Sequence, residues 1–335
     1  MIIVRAPLRI SFVGGGTDMP DFYTQYPGRV ISAAINKFIY ITINHIPHTK
    51  KVIVKYVTTE TVDSPHQLNH TRVKEALLDL GILKDIEIAS FADISSRAGL
   101  GSSSVFTVAL LKGLNAFLGK NLNKQEIAEA ASRLEIDLLK EPVGKQDQYA
   151  AAFGGVNIFQ FNTDHSVTVK PVLLSYKIKK NLEDHLLLFF TGVTRDASSV
   201  LSDQKTNINS KLETLKQMAD SVADFEKYLL SGNFEKLGQM LDEGWKRKRE
   251  LSSKISNNTF DVIYDSGKAA GAWGGKILGA GGGGCMLFLV PSEKREEAKA
   301  SILETARSQN LSNFEEIPFN FTECGVDIVY RDDRK

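Results

Sequence analysis

The sequence predicts an α+β protein of two domains. Three observations carry that reading. Segments rich in β-branched and aromatic residues crowd into the first third of the chain, two long polar-faced helices follow its middle, and the last part alternates helices and strands around a glycine loop. A chain of 335 residues with 42% apolar content can bury a large core, and its length suits roughly two domains. The expected boundary falls near residue 182, giving domains over 1–182 and 183–335. No repeat, low-complexity tract or proline-rich linker separates the halves, so they are expected to pack closely.

Strands are expected at 2–13, 30–36, 38–44 and 52–57, with turn breakers between them. A further strand at 86–94 leads through a Gly-Ser loop into a helix at 102–118, which sets Val105, Val108, Ala109, Leu111 and Ala116 on or near an apolar face. The next helix starts at Asn123, which can cap it together with Glu126, and stops at Pro142. Ala128, Ala131, Glu135 and Leu138 share one of its faces. Beyond Gly154-Gly155 the pattern gives strands at 156–161 and 186–191, then helices at 207–230 and 234–252. The last part reads helix 259–272, glycine loop, strand 285–290, helix 293–308 and strands 314–321 and 326–330, set apart from the first sheet.

Composition narrows the function. Lys+Arg at 41 against Asp+Glu at 40 leaves a net charge of +1, so no global field favours nucleic acid or an anionic membrane, and small molecules are the expected partners. Cys285 and Cys324 lack the spacing of a metal site or a disulfide framework and read as packing residues in a reducing compartment. There is no signal-like amino terminus and no run of apolar residues long enough to span a bilayer. The expected location is cytoplasmic, and the expected state a monomer or homodimer.

Three separated glycine-bearing loops point to phosphate chemistry: Gly14-Gly15-Gly16-Thr17-Asp18, Gly99-Leu100-Gly101-Ser102-Ser103-Ser104 and Gly279-Ala280-Gly281-Gly282-Gly283-Gly284. Gly144-Lys145-Gln146-Asp147-Gln148 lies between the last two. Glycine lets backbone approach a ligand, and the middle loop ends in hydroxyls where a helix presents free N–H groups to an anion. No Gly-Lys pair has the following Ser or Thr that a Walker A loop needs. The third loop satisfies G-x-G-x-x-G literally, yet it leads from a helix into a strand, the reverse of the dinucleotide-binding context.

The order Pro7 to Asp18, Gly99 to Ser104, Asp147 and Gly279 to Gly284 resembles the galactokinase, homoserine kinase, mevalonate kinase and phosphomevalonate kinase (GHMP) superfamily over nearly the whole chain. The resemblance implies a two-domain GHMP kinase fold, with a ribosomal protein S5 domain 2-like N-terminal domain and a ferredoxin-like C-terminal domain. It also implies an ATP- and Mg2+-dependent phosphotransferase acting on a sugar or sugar phosphate. Within the superfamily, segments 14–18, 141–151 and 192–196 look like the D-glycero-D-manno-heptose 7-phosphate kinases, with bacterial L-fucokinases as near relatives. The implied reaction phosphorylates the anomeric hydroxyl of that heptose 7-phosphate to the 1,7-bisphosphate. The alternatives are a 1-kinase for an unphosphorylated sugar such as L-fucose, or a noncatalytic ATP- and sugar-binding regulator. The joint presence of Asp147, Glu135 and Ser103 speaks for an enzyme.

By the same resemblance Gly99, Leu100, Gly101, Ser102, Ser103 and Ser104 form the ATP triphosphate loop, and Ser103 and Glu135 hold Mg2+. Asp147 is the catalytic base with Arg9 as the cation beside it, and Gly16, Thr17, Asp18, Arg195, Gly281 and Gly282 face the sugar. The residue types suit these tasks. Asp147 follows a helix end, Pro142 and Gly144, so it is expected on a turn where a carboxylate can accept the proton of an attacking hydroxyl. A turn aspartate bonded to its own backbone is the alternative. Ser102 can serve as a helix cap, and Arg97 can touch a phosphate or face solvent. Galactokinase-like relatives carry a Glu-His pair where Gly15-Gly16 stands, which argues against galactose. A distal phosphate needs a cation, and Lys145, Arg195 and the run Lys246-Arg247-Lys248-Arg249 are the candidates. Such a run is more often a solvated helix face.

Overall fold

The computed structural model describes residues 1–194, 200, 202–203, 208–252 and 254–332; Arg195 lies outside them. A long antiparallel pair, β1 (Ile2–Val13) and β2 (Gly28–His45), forms the spine of an eight-stranded sheet, with the first glycine loop and a short α1 (Pro20–Tyr23) joining the two strands. β2 is continuous where two strands were expected, because nothing at Asn36-Lys37 breaks it. β3 (Val52–Lys55) and β4 (Thr59–Val62) make an edge hairpin. After α2 (Thr71–Asp79), β5 (Ile86–Ala92) enters between β3 and β2. The middle glycine loop then turns into α3 (Ser102–Phe117), an apolar helix packed across β1 and β2.

α4 (Lys124–Ser132) begins on the Asn123–Glu126 capping box that the sequence predicts. Its regular α-helix ends earlier than expected, at Ser132, and a π-helical turn follows at Arg133–Leu138. α5 (Gln146–Phe153) comes next, so Asp147 stands in the first turn of a helix rather than on an open turn. β6 (Val156–Phe161) pairs with the first half of β2, and β7 (Val167–Pro171) pairs with β6.

The rest of the chain supplies α6 (Tyr176–His185), β8 (Leu186–Phe190), α7 (Leu212–Ser231), α8 (Phe234–Arg249), α9 (Asn258–Ala269), β9 (Gly274–Ile277), β10 (Cys285–Leu289), α10 (Arg295–Ser308) and β11 (Glu315–Glu316). Strands β11-β8-β10-β9 form a four-stranded antiparallel sheet in that order. A separate apolar cluster around Phe189, Trp245, Phe260 and Phe288 forms beside it. The expected strand at 314–321 shrinks to β11 and an isolated bridge between Ile35 and Phe321. β12 (Asp327–Arg331) does not stay with the second sheet as expected; it returns to pair antiparallel with β1, Ile2 opposite Arg331. That pairing satisfies backbone groups that would otherwise line an open edge of β1. Cys285 is buried as expected, whereas Cys324 is exposed, and both are free thiols. Among the described residues no helix is long and apolar enough to cross a membrane.

The two sheets meet through glycines. A Cβ on Gly99 would lie 2.8 Å from Leu278 O, and one on Gly279 2.9 Å from Gly99 Cα, so the two loops pack backbone on backbone. Both residues have left-handed φ, +77° and +66°. Gly119 has a similar φ of +75° with nothing within 4 Å of its would-be Cβ. Gly119→Ala therefore incurs only left-handed strain, about 1 to 2 kcal/mol, while Gly279→Ala adds a clash. Thermal melts should show the larger fall in Tm for Gly279→Ala, and equal falls would contradict backbone contact between the loops.

Candidate active site

Arg9 is carried inward by β1 and is only 2% exposed. Its Nε and Nη2 donate to Asp147 Oδ1 and Oδ2 at 2.7 Å each, and its Nη1 donates to Gly99 O at 2.8 Å. Its backbone N–H donates to Leu100 O at 3.1 Å. A Cβ on Gly101 would stand 3.3 Å from the Asp147 carboxylate and 3.4 Å from Arg9 Cζ, so the glycine loop lies directly against the ion pair. This bidentate geometry is the strongest form of a charged hydrogen bond.

The same loop opens α3. Its N-cap is Gly101, which has no side chain, and the first bond of the helix runs from Val105 N–H to Gly101 O at 3.0 Å. The amides of Ser102, Ser103 and Ser104 therefore lack intrahelical acceptors at the wall of a cavity that all three residues line. Ser102 does not cap the helix; its hydroxyl accepts from Arg97 N–H at 3.3 Å. Leu100 is fully buried in the core and reaches no ligand space.

Glu135 is also fully buried, and it sits behind the cavity wall rather than on it. Its carboxylate accepts from Ser104 Oγ at 2.7 Å, Thr107 Oγ1 at 2.6 Å and Gln148 Nε2 at 2.5 Å, with Arg72 Nε at 3.5 Å. The π-helical turn, marked by Leu139 N–H donating to Leu134 O at 2.9 Å, aims Glu135 inward while Leu138 ends 37% exposed. The extra residue of that turn separates two positions that an α-period puts on one face. Ser103 stands exposed at the cavity, and it is its neighbour Ser104 that binds the Glu135 carboxylate.

Asp18 is buried at the cavity wall, accepting from Gly16 N–H at 3.1 Å and from Gln146 N–H and Nε2 at 3.2 Å each. Burial first, and then the charge of Asp147, raise its carboxyl above the ordinary value of 3.8. Gly144 makes room for it, since a Cβ there would fall 2.0 Å from Asp18 Oδ2. Gly16 lines the cavity beside Asp18, but Thr17 does not. The Thr17 hydroxyl donates to Gly14 O at 2.8 Å and Arg29 O at 2.9 Å, which ties the loop to β2. Gly281 lines the cavity as well, whereas Gly282 turns away and donates its N–H to Ile255 O at 2.7 Å.

Sequence reasoning missed Lys276 and named Lys248 only within the run Lys246-Arg247-Lys248-Arg249, a run more often a solvated face. Lys248 and Lys276 are both buried and line the cavity with Arg9, Asp18 and Asp147. Lys276 Nζ donates to Ser11 O at 3.0 Å and Phe12 O at 2.8 Å, bridging β9 to β1. The cavity, about 850 Å3, runs from this charged end to an aromatic end. There the His70 ring stacks on Phe106 at 5.1 Å and meets Tyr56 edge-on at 4.8 Å.

Residues 69–155 match the family model for the GHMP kinases N terminal domain, and residues 225–308 that for the GHMP kinases C terminal. The chain is 30% identical to a D-glycero-alpha-D-manno-heptose 7-phosphate kinase of Campylobacter jejuni, over 97% of this chain and 98% of that protein. It is 27% identical to the bifunctional fucokinase/GDP-fucose pyrophosphorylase of Arabidopsis thaliana, over 90% of this chain and 31% of that protein. The crystal structure of a D-glycero-D-manno-heptose 1-phosphate kinase from Bacteroides thetaiotaomicron is similar with a TM-score of 0.80 and 26% identity, covering 99% of this chain and 100% of that one. The chain belongs to the GHMP kinase family; it is a phosphotransferase, and ATP is its phosphoryl donor.

The raised Asp18 carboxyl gives a stability signature with a definite sign. Ionising it costs folding free energy, and that cost grows as pH rises from the ordinary 3.8 through its higher folded value. Asp18→Asn cannot ionise, so its Tm relative to the wild type should climb across that window. A Tm difference independent of pH would contradict the buried, ionisable placement.

Proposed function

We propose that this GHMP kinase is a sugar kinase that transfers the γ-phosphoryl group of ATP to the anomeric hydroxyl of D-glycero-D-manno-heptose 7-phosphate, giving the 1,7-bisphosphate. One observation carries the chemistry: the Asp147 carboxylate is clamped by Arg9 and lies against Gly101 of the glycine loop. A carboxylate so placed can take the proton of an attacking hydroxyl, and the guanidinium favours the alkoxide and the charge on the transferred group. The phosphates of ATP are assigned to the open amides of Ser102, Ser103 and Ser104. The acceptor sugar is assigned to Asp18, with Gly16 and Gly281 beside it, because a buried carboxylate orients hydroxyl donors strongly.

Mg2+, when bound, would neutralise charge on the triphosphate. The exposed Ser103 hydroxyl on the cavity wall fits a hard cation that takes its other ligands from phosphate oxygens and water. Glu135 does not fit as placed, since four donors already surround its carboxylate. Its evident work is to hold Ser104 and the first turn of α3. The enzyme is read as cytoplasmic, a monomer or homodimer, without nucleic-acid or membrane partners, in keeping with a net charge of +1.

The choice of heptose is supported by similarity to the Campylobacter enzyme over nearly the whole of both chains. Arg195, in the family-like segment 192–196, is proposed as the cation for the acceptor's far phosphate. Arg195→Ala should then raise the KM for heptose 7-phosphate more than about tenfold and leave that for ATP nearly unchanged, given charged hydrogen bonds worth about 1.5 to 3 kcal/mol. Steady-state assays on heptose, heptose 7-phosphate and L-fucose test the reading. Equal activity on heptose and its 7-phosphate, or a preference for L-fucose, would overturn the substrate assignment.

A further inference from the structure

We infer that Lys248 is a third cation of the phosphoryl-transfer centre, delivered by the C-terminal domain to face the group in transit opposite Arg9. The inference rests on reading this cavity as the site of transfer. α8 ends in four consecutive cations, and three of them are ordinary surface partners. Lys246 pairs with Asp242 at 2.8 Å, Arg247 with Glu243 at 3.5 Å and Arg249 with Asp261 at 2.9 Å. Lys248 alone turns inward and is 7% exposed. Its Nζ donates to Gly279 O at short range and to Ile277 O at 3.5 Å, and no carboxylate among the described residues lies within ion-pair distance of it. A buried ammonium left without a counter-charge is costly.

The local balance of charge shows what is missing. Besides Arg97 and the Arg72–Glu141 pair, the cavity wall carries Arg9, Lys248 and Lys276 against Asp18 and Asp147. Both oxygens of Asp147 are taken by Arg9, and Asp18 accepts from the backbone N–H groups of Gly16 and Gln146 and from Gln146 Nε2. Lys276 gives two donors to β1 carbonyls at 3.0 and 2.8 Å, whereas the second contact of Lys248, to Ile277 O, is a long 3.5 Å. Lys248, with three donors on a flexible stem, keeps capacity for a further acceptor. Lys248 is therefore short of an anionic partner, and the phosphoryl group passing from ATP to a hydroxyl beside Asp147 supplies one. In that step the hydroxyl oxygen forms the new O–P bond as the bond to the ADP oxygen breaks, and the proton passes to Asp147. Lys248 keeps its protons and contributes charge alone.

The groups facing Lys248 are Arg9 on β1, Asp18 in the first loop, Asp147 on α5 and Lys276 on β9. Burial first and then Arg9 lower its ammonium to about 8, with Asp18 and Asp147 opposing. Its charge in the substrate-free enzyme is thus present below that pH and lost above it.

Lys248→Met should fold with a Tm at or above that of the wild type and lose kcat on the order of 10²-fold, the scale of one preorganised charge donor, with both KM values little changed. Lys248→Arg should recover most of the turnover. The alkaline limb of its kcat/KM profile, near pH 8 in the wild type, should move up by about one unit or more because a guanidinium does not deprotonate there. Lys246→Met, on the solvated face, should match the wild type. A folded Lys248→Met with near-normal kcat, or an unmoved limb in Lys248→Arg, would overturn the inference; if Lys248→Met does not fold, the arginine profile decides. Asp147→Asn in the same assay separates the two levels. If it is inactive while Lys248→Met turns over normally, only the role of Lys248 falls; if it too is fully active, the cavity is not the transfer site and both readings fall.

Discussion

A guanidinium and a carboxylate drawn out of water together persist only when both are thoroughly bonded, and the Arg9–Asp147 pair organises the protein's centre through that requirement. Arg9 brings Gly99 O and Leu100 O onto its own strand, which sets where the glycine loop lies relative to β1. Asp147 fixes the first turn of α5, and the neighbouring Gln146 in turn holds Asp18. One ion pair thus aligns the three segments to which phosphate, proton transfer and sugar are assigned. Removing either partner would strand the other charge, a loss of about 3 to 5 kcal/mol in a buried setting.

The second domain completes the cavity through backbone and two lysines. Gly99 and Gly279 allow the loops of the two domains to touch without side chains between them. Lys276 ties β9 to the carbonyls of Ser11 and Phe12, two and three residues past Arg9. The carboxyl-terminal β12 returns to the first sheet, so the chain closes on β1 from both directions. A wall built from both domains is suited to phosphoryl transfer, where fixed charges must be in place before the reaction begins.

Local pattern was legible in the sequence, and long-range pairing was not. The succession of strand, Gly-Ser loop and apolar helix at β5 and α3 follows from composition and period alone. So does the Asn123–Glu126 capping box. The destination of β12 depends on an unpaired edge more than three hundred residues away in the chain, which no local signal records. Glu135 was expected to hold metal by resemblance, and the α-period shows its inward direction but not its partners; Ser104, Thr107, Gln148 and Arg72 converge on it only in three dimensions. Lys248 was hidden for the opposite reason: four adjacent cations read as one solvated patch, while the rotation of the helix sends one of them inward.

Arg9 and Asp147 are proposed to act as one unit in catalysis. A double-mutant cycle in kcat/KM with Arg9→Met, Asp147→Asn and the pair, run on folded protein well below each Tm, measures this directly. The account predicts that the double variant is little worse than the worse single one, a coupling of several kcal/mol. Losses that simply add would show that the two residues contribute independently and would contradict it.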